Sequence, residues 1–211
     1  MSGAAKALRA LAFASAWAAG AAGWGAARAE EGPSFDCARA ASQAETLICG
    51  DAALAAKDRA LAAVYAEALA AIRALDAGAA AAEAELKAVQ RGWIKGRNDC
   101  WKAEAPAACV SDAYDAREAE LVAAWVLQAP SGAQAFFCEG NRANTVTATF
   151  FDTPRPSARV ERGDATAVGL LERSASGARY ALPFGDELWI KGAEAQLVWR
   201  QGAPLSCEAA E

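Results

Sequence analysis

At Gln128-Ala129-Pro130-Ser131-Gly132-Ala133-Gln134 the chain changes character. Before this segment the sequence is alanine-rich, and its larger apolar residues recur every three or four positions. After it, Thr, Val, Phe and Gly dominate, with frequent turn signals. A helical period and a strand period cannot share one element, so the chain reads as an α+β multidomain protein. The expected order is a helical bundle over residues 30–127, a linker over 128–133 and a small antiparallel β domain over 134–211. Pro130, Ser131 and Gly132 supply the break between them.

Residues 1–29 stand apart from both. Lys6 and Arg9 precede an apolar run of small residues, Ala10 to Ala19, and Ala27-Arg28-Ala29 gives an A-x-A cleavage site. That layout is a secretory signal peptide. The run is short, broken by glycine and weakly hydrophobic, so it does not read as a stable membrane anchor. No cysteine stands near the cleavage point to take a lipid. The expected location is therefore the periplasm, in soluble form, where six cysteines are expected to be oxidised.

In the helical part, Ser42 and Glu45 have the spacing of a capping box that opens a short helix toward Cys49. Asp51 is the expected N-cap of a long helix in which Leu54, Leu61, Tyr65, Ala68, Ile72 and Leu75 form one apolar face. A second helix puts Leu86, Val89, Trp93 and Cys100 on one stripe. A third, after Pro106 and Cys109, does so with Val110, Tyr114, Arg117 and Leu121. Antiparallel packing brings Cys37, Cys49, Cys100 and Cys109 to one end of the bundle. Three pairings of these four remain open. A zinc site is disfavoured because no CxxC pair is present.

The last part offers six short strand candidates: 136–138, 145–150, 158–161, 165–171, 187–190 and 196–199. Regular strands separated by glycine turns fit an antiparallel sandwich or barrel. Cys138 and Cys207 are placed to join its first and last strands. Arg162-Gly163-Asp164 spells an adhesion tripeptide but reads as a hairpin turn.

Composition excludes several chemistries. The chain has no histidine, so it holds no Ser-His-Asp or Cys-His pair and no imidazole acid or base. A formal charge of −5 argues against nucleic acid, which needs a concentrated basic face.

Two resemblances emerge from the motifs. Pro33 to Cys37, Glu45 to Cys49, Leu54 to Asp58, Gln90-Arg91-Gly92-Trp93 through Cys100, and Cys109-Val110 with Tyr114 and Arg117 together resemble the LprI-like N-terminal domain of lysozyme-inhibitor proteins. Ser174-Ala175-Ser176-Gly177-Ala178-Arg179-Tyr180, followed by Leu188-Trp189-Ile190-Lys191-Gly192, resembles the two-part signature of C-type lysozyme inhibitors of the MliC/PliC kind. The second resemblance implies an eight-stranded antiparallel barrel and an inhibitor rather than an enzyme, with no cofactor and no metal. It implies C-type lysozyme as partner, and a site in which Ser176 and Lys191, on separate loops, enter the catalytic cleft. Gly177, Tyr180 and Gly192, at motif positions that shape those loops, are the further candidate lysozyme-binding residues. Oligomeric state is open.

Two rival readings come from the same sequence. One is a non-inhibitory envelope module that binds peptidoglycan fragments or an envelope protein. The other is a glycan hydrolase built on Asp186 and Glu187, which as strand neighbours would face opposite sides.

Overall fold

The structure is a computed structural model and describes residues 32–210; the expected leader, residues 1–29, lies outside them. The described residues form one compact unit, in which four helices precede a closed eight-stranded antiparallel barrel.

Local chemistry sets the helix starts. In α1 (Gln43–Gly50) the capping box is complete: the Ser42 hydroxyl accepts from the Glu45 amide and the Glu45 carboxylate accepts from the Ser42 amide. Asp51 caps α2 (Ala52–Arg73) by accepting from the amides of Ala53 and Leu54. Gly78, at φ +77°, turns the chain into α3 (Ala79–Asn98). Pro106 opens α4 (Pro106–Trp125) at a position where its missing N–H costs nothing.

Ile48, Leu54, Leu61, Ala68, Ile72, Leu86, Val110, Tyr114 and Leu121 make the helical core. Two expected members do not join it. Leu75 is 43 % exposed, because α2 ends at Arg73 and the helical stripe ends with it. Val89 is 48 % exposed. The inward face of α3 runs instead through Ala82, Leu86, Gln90, Trp93 and Arg97, so two polar side chains occupy positions that an apolar stripe passes over.

That polar face is satisfied inside the bundle. Buried Arg97 donates to the Tyr114 hydroxyl at 2.8 Å, and that hydroxyl donates to the Asp58 carboxylate at 2.7 Å. The second Asp58 oxygen accepts the Ser34 amide at 2.6 Å. The Arg97 guanidinium also lies over the Trp93 ring, whose N–H donates to the Ala113 carbonyl. Burial, and then the Asp58 carboxylate, push the Tyr114 phenol far above its ordinary pKa.

The disulfides resolve the pairing left open by the sequence. Cys37–Cys49 ties the segment before the bundle to the end of α1, and Cys100–Cys109 ties the end of α3 to the first turn of α4.

The strands are β1 (Gly132–Cys138), β2 (Asn141–Phe151), β3 (Ser157–Arg162), β4 (Ala165–Glu172), β5 (Ala178–Ala181), β6 (Glu187–Lys191), β7 (Glu194–Val198) and β8 (Leu205–Ala209). Each pairs with the next, and β8 closes onto β1. Cys138 and Cys207 face each other in that closing register and are bonded. Inward residues alternate along the strands, as in Phe136 and Cys138, Val146 and Ala148, Ala158 and Val160, and Ala195 and Leu197. Six strands match the candidates; β5 and β8, of four and five residues, lacked enough alternation to be read. Gly163, at φ +62°, makes Arg162 to Ala165 the expected two-residue hairpin turn.

The two halves share a small core. Val122 and Ala123 of α4 pack with Phe151 and Val168 of the barrel, and Arg159 of β3 donates to the Ala124 carbonyl near the end of α4 at 2.6 Å. This contact explains why the last turns of α4 are buried on nearly every side. Helix α4 covers the β2–β4 side of the barrel, with Val64 of α2 packed at the edge of the shared core. Among the described residues no helix is long and apolar enough to cross a membrane.

Candidate functional site

The β4–β5 and β6–β7 connections leave the barrel at the same end, because β5 and β6 run antiparallel with Ala178 opposite Ile190. The first connection carries Ser176. The second is a two-residue turn, Gly192-Ala193, directly after Lys191.

Gly177 allows these connections to touch. It has φ +69°, and a Cβ there would lie 2.1 Å from the Ile190 carbonyl oxygen and 3.0 Å from Cγ of Lys191. No other residue fits that approach without moving the backbone. Gly192 has φ +64° with open space around it, so its requirement is conformational, not steric. The Ser174 hydroxyl, within reach of the Ser176 and Gly177 carbonyls at 3.0 and 2.8 Å, braces the loop. The Ser176 side chain is left exposed, with no hydrogen bond among the described residues.

Trp189 links the two loops. Its indole N–H donates to the Ser176 carbonyl at 2.8 Å. Residues 189 and 191 share the outer face of β6, which places the Lys191 ammonium 3.4 Å from the Trp189 ring centroid. Glu194 lies directly across from Lys191, yet Lys191 forms no ion pair among the described residues. Its charge is held on an aromatic surface rather than in a salt bridge among the described residues.

Trp189 and Lys191 also form one wall of an open cleft of about 640 Å³ whose other sides include Glu139, Glu194, Gln196 and Glu208. Glu194 and Glu208 are direct cross-strand neighbours, so this part of the barrel surface is acidic. It lies on strands that the helices do not cover.

The other motif residues have different places. Tyr180 is 8 % exposed and sits in the barrel core, 5.6 Å from the Phe150 ring. Burial raises its phenol pKa. Its side chain therefore lies in the barrel core and not on the exposed face that carries Ser176 and Lys191. Gly169 gives it room, since a Cβ there would come within 2.8 Å of the Tyr180 Cβ. Asp186 accepts backbone amides of Arg200 and Gln201, and Glu187 pairs with Arg179. Both carboxylates of the hydrolase alternative are thus committed to structure. Sequence reasoning missed the bracing by Ser174 and the double role of Trp189. An aromatic before Lys-Gly was visible, but the reach of its N–H depends on where the neighbouring loop folds.

Two family models match this chain in tandem. Residues 37–121 match lysozyme inhibitor LprI, and residues 136–206 match the membrane-bound lysozyme-inhibitor of c-type lysozyme, MliC. These two matches define a protein carrying two lysozyme-inhibitor family domains. Over 178 residues the chain is 32 % identical to Lipoprotein LprI of Mycobacterium tuberculosis and equally to Lipoprotein LprI of Mycobacterium bovis, covering 83 % of this chain and 84 % of theirs. The chain belongs to the LprI family. No solved structure matches it.

Proposed function

We propose that this protein inhibits C-type lysozyme by placing Ser176 and Lys191 in the enzyme's catalytic cleft. The observation that carries the proposal is the pair of adjoining loops at one barrel end, which present an exposed hydroxyl and an ammonium with no carboxylate partner among the described residues.

A lysozyme works with one protonated and one ionised carboxyl group on either side of the scissile bond. An ammonium on a four-carbon stem enters such a cleft as a point charge and pairs with the ionised group. A hydroxyl donates to or accepts from the other. With both carboxyls engaged, neither glycan nor the attacking water has access. The acidic cleft beside Lys191 adds charge of the sign that attracts a basic enzyme, and such complementarity acts chiefly on the association rate. Residues 131–211 contain seven arginines, ten acidic residues and one lysine, which is Lys191.

In this reading residues 1–29 direct export to the periplasm and residues 30–127 form the helical domain. Residues 128–133 connect it to the inhibitory barrel, residues 134–211. The protein shields the cell wall from host lysozyme and has no turnover of its own.

Lys191→Ala tests the assignment directly. It is expected to weaken inhibition about tenfold or more, as loss of a central charged anchor does, with an unchanged circular dichroism spectrum. Full inhibition by the folded variant removes Lys191 from the mechanism. Binding to purified peptidoglycan without any effect on lysozyme would favour the envelope-module reading.

A further inference from the structure

We infer that Trp189 is the positioning residue of this site, presenting Ser176 and Lys191 as one preset unit. The inference rests on the reading that those two residues meet lysozyme.

Three observations converge on this indole. Its N–H fixes the Ser176 carbonyl at 2.8 Å, its ring carries the Lys191 ammonium at 3.4 Å, and Gly177 lets the intervening backbone close onto Ile190. A lysine side chain loses much rotamer freedom when it is immobilised. Holding that side chain in place before docking spares part of this loss at the interface. Trp189 also decides between two partners for the ammonium. Glu194 stands across the hairpin from Lys191; without the ring, the ammonium collapses onto that carboxylate and arrives at lysozyme already neutralised. The N–H and the ring act on different loops, so substitutions can separate them. Phenylalanine keeps a ring for Lys191 but has no donor for Ser176, and leucine has neither.

The experiment uses the full mature chain with Trp189→Phe, Trp189→Leu and Lys191→Ala. In the free wild type, NMR is expected to show the Lys191 Cε protons shifted upfield by the ring current. The shift persists in Trp189→Phe and disappears in Trp189→Leu. The Ser176 loop amides become mobile in both variants. Against C-type lysozyme, Trp189→Phe is expected to weaken inhibition about threefold and Trp189→Leu about tenfold, the sizes of one hydrogen bond and of that bond with a cation–π contact. Adding Trp189→Leu to Lys191→Ala costs less than it does alone, because part of its effect passes through Lys191. An unshifted Lys191 in the wild type, or strictly additive losses, overturns the inference. If Trp189→Leu does not fold, Trp189→Phe still decides the Ser176 half. If the wild type fails to inhibit lysozyme, the functional reading falls, while the NMR signatures still decide the positioning role.

Discussion

At residue scale, single atoms set what the site tolerates. Gly177 and Gly192 both have positive φ, but an added methyl group meets the Ile190 carbonyl at Gly177 and empty space at Gly192. Gly177→Ala is therefore expected to cost inhibition much more than Gly192→Ala. The conformational penalty of about 1–2 kcal/mol is common to both, and the displaced loop belongs to Gly177→Ala alone. Parallel inhibition titrations check this contrast. Tyr114 is the corresponding pivot of the helical half, since it bridges buried Arg97 and Asp58. Tyr114→Phe is expected to lower unfolding free energy by about 1–3 kcal/mol, as does leaving a buried polar group short of a partner. Because the folded-state pKa of this phenol is raised, its contribution is complete below the ordinary tyrosine range, near 10. It is lost as the pH rises through the raised value. Urea unfolding at about pH 8 and about pH 11 checks the sign: the wild type loses stability at the higher pH, and Tyr114→Phe loses less.

At the scale of elements, the readable features were those written in a few consecutive residues. The Ser42–Glu45 box, the Asp51 cap and the Gly163 turn are local chemistry, and each forms as the sequence implies, while the helix expected after Pro106 and Cys109 already begins at Pro106. What escaped depends on partners far along the chain. Val89 lies one position off the true inward face of α3, because Gln90 and Arg97 are satisfied by Arg117 and Tyr114 across the bundle. The strands β5 and β8 acquire their identity from neighbours on both sides. Choosing one of three cysteine pairings required knowing which helix ends meet. The two kinds of staple differ in consequence. Cys138–Cys207 encloses 69 residues of sequence separation and Cys100–Cys109 only 9. Replacing each pair with alanine is expected to cost about 4 and about 3 kcal/mol respectively, on the chain-entropy account. Denaturant midpoints for the two variants would show the order; equal or reversed losses would contradict it.

On the scale of the whole molecule, α4 packs along the β2–β4 side of the barrel, away from the β6–β8 side with its acidic cleft. Short signatures name Ser176 and Lys191 as candidates; the contacts of Trp189 with the Ser176 carbonyl and the Lys191 ammonium were not readable, because they exist only after two loops have folded together. The absence of histidine, which first excluded a set of catalysts, agrees with a protein built to occupy another enzyme's catalytic groups. That claim has a direct kinetic test: C-type lysozyme turnover of a soluble glycan oligomer, measured over a range of substrate at several fixed concentrations of the mature protein. Occupation of the cleft predicts competitive inhibition, with apparent KM rising in proportion to inhibitor while kcat stays constant. A fall in kcat at unchanged KM, or no inhibition at all, would contradict the account.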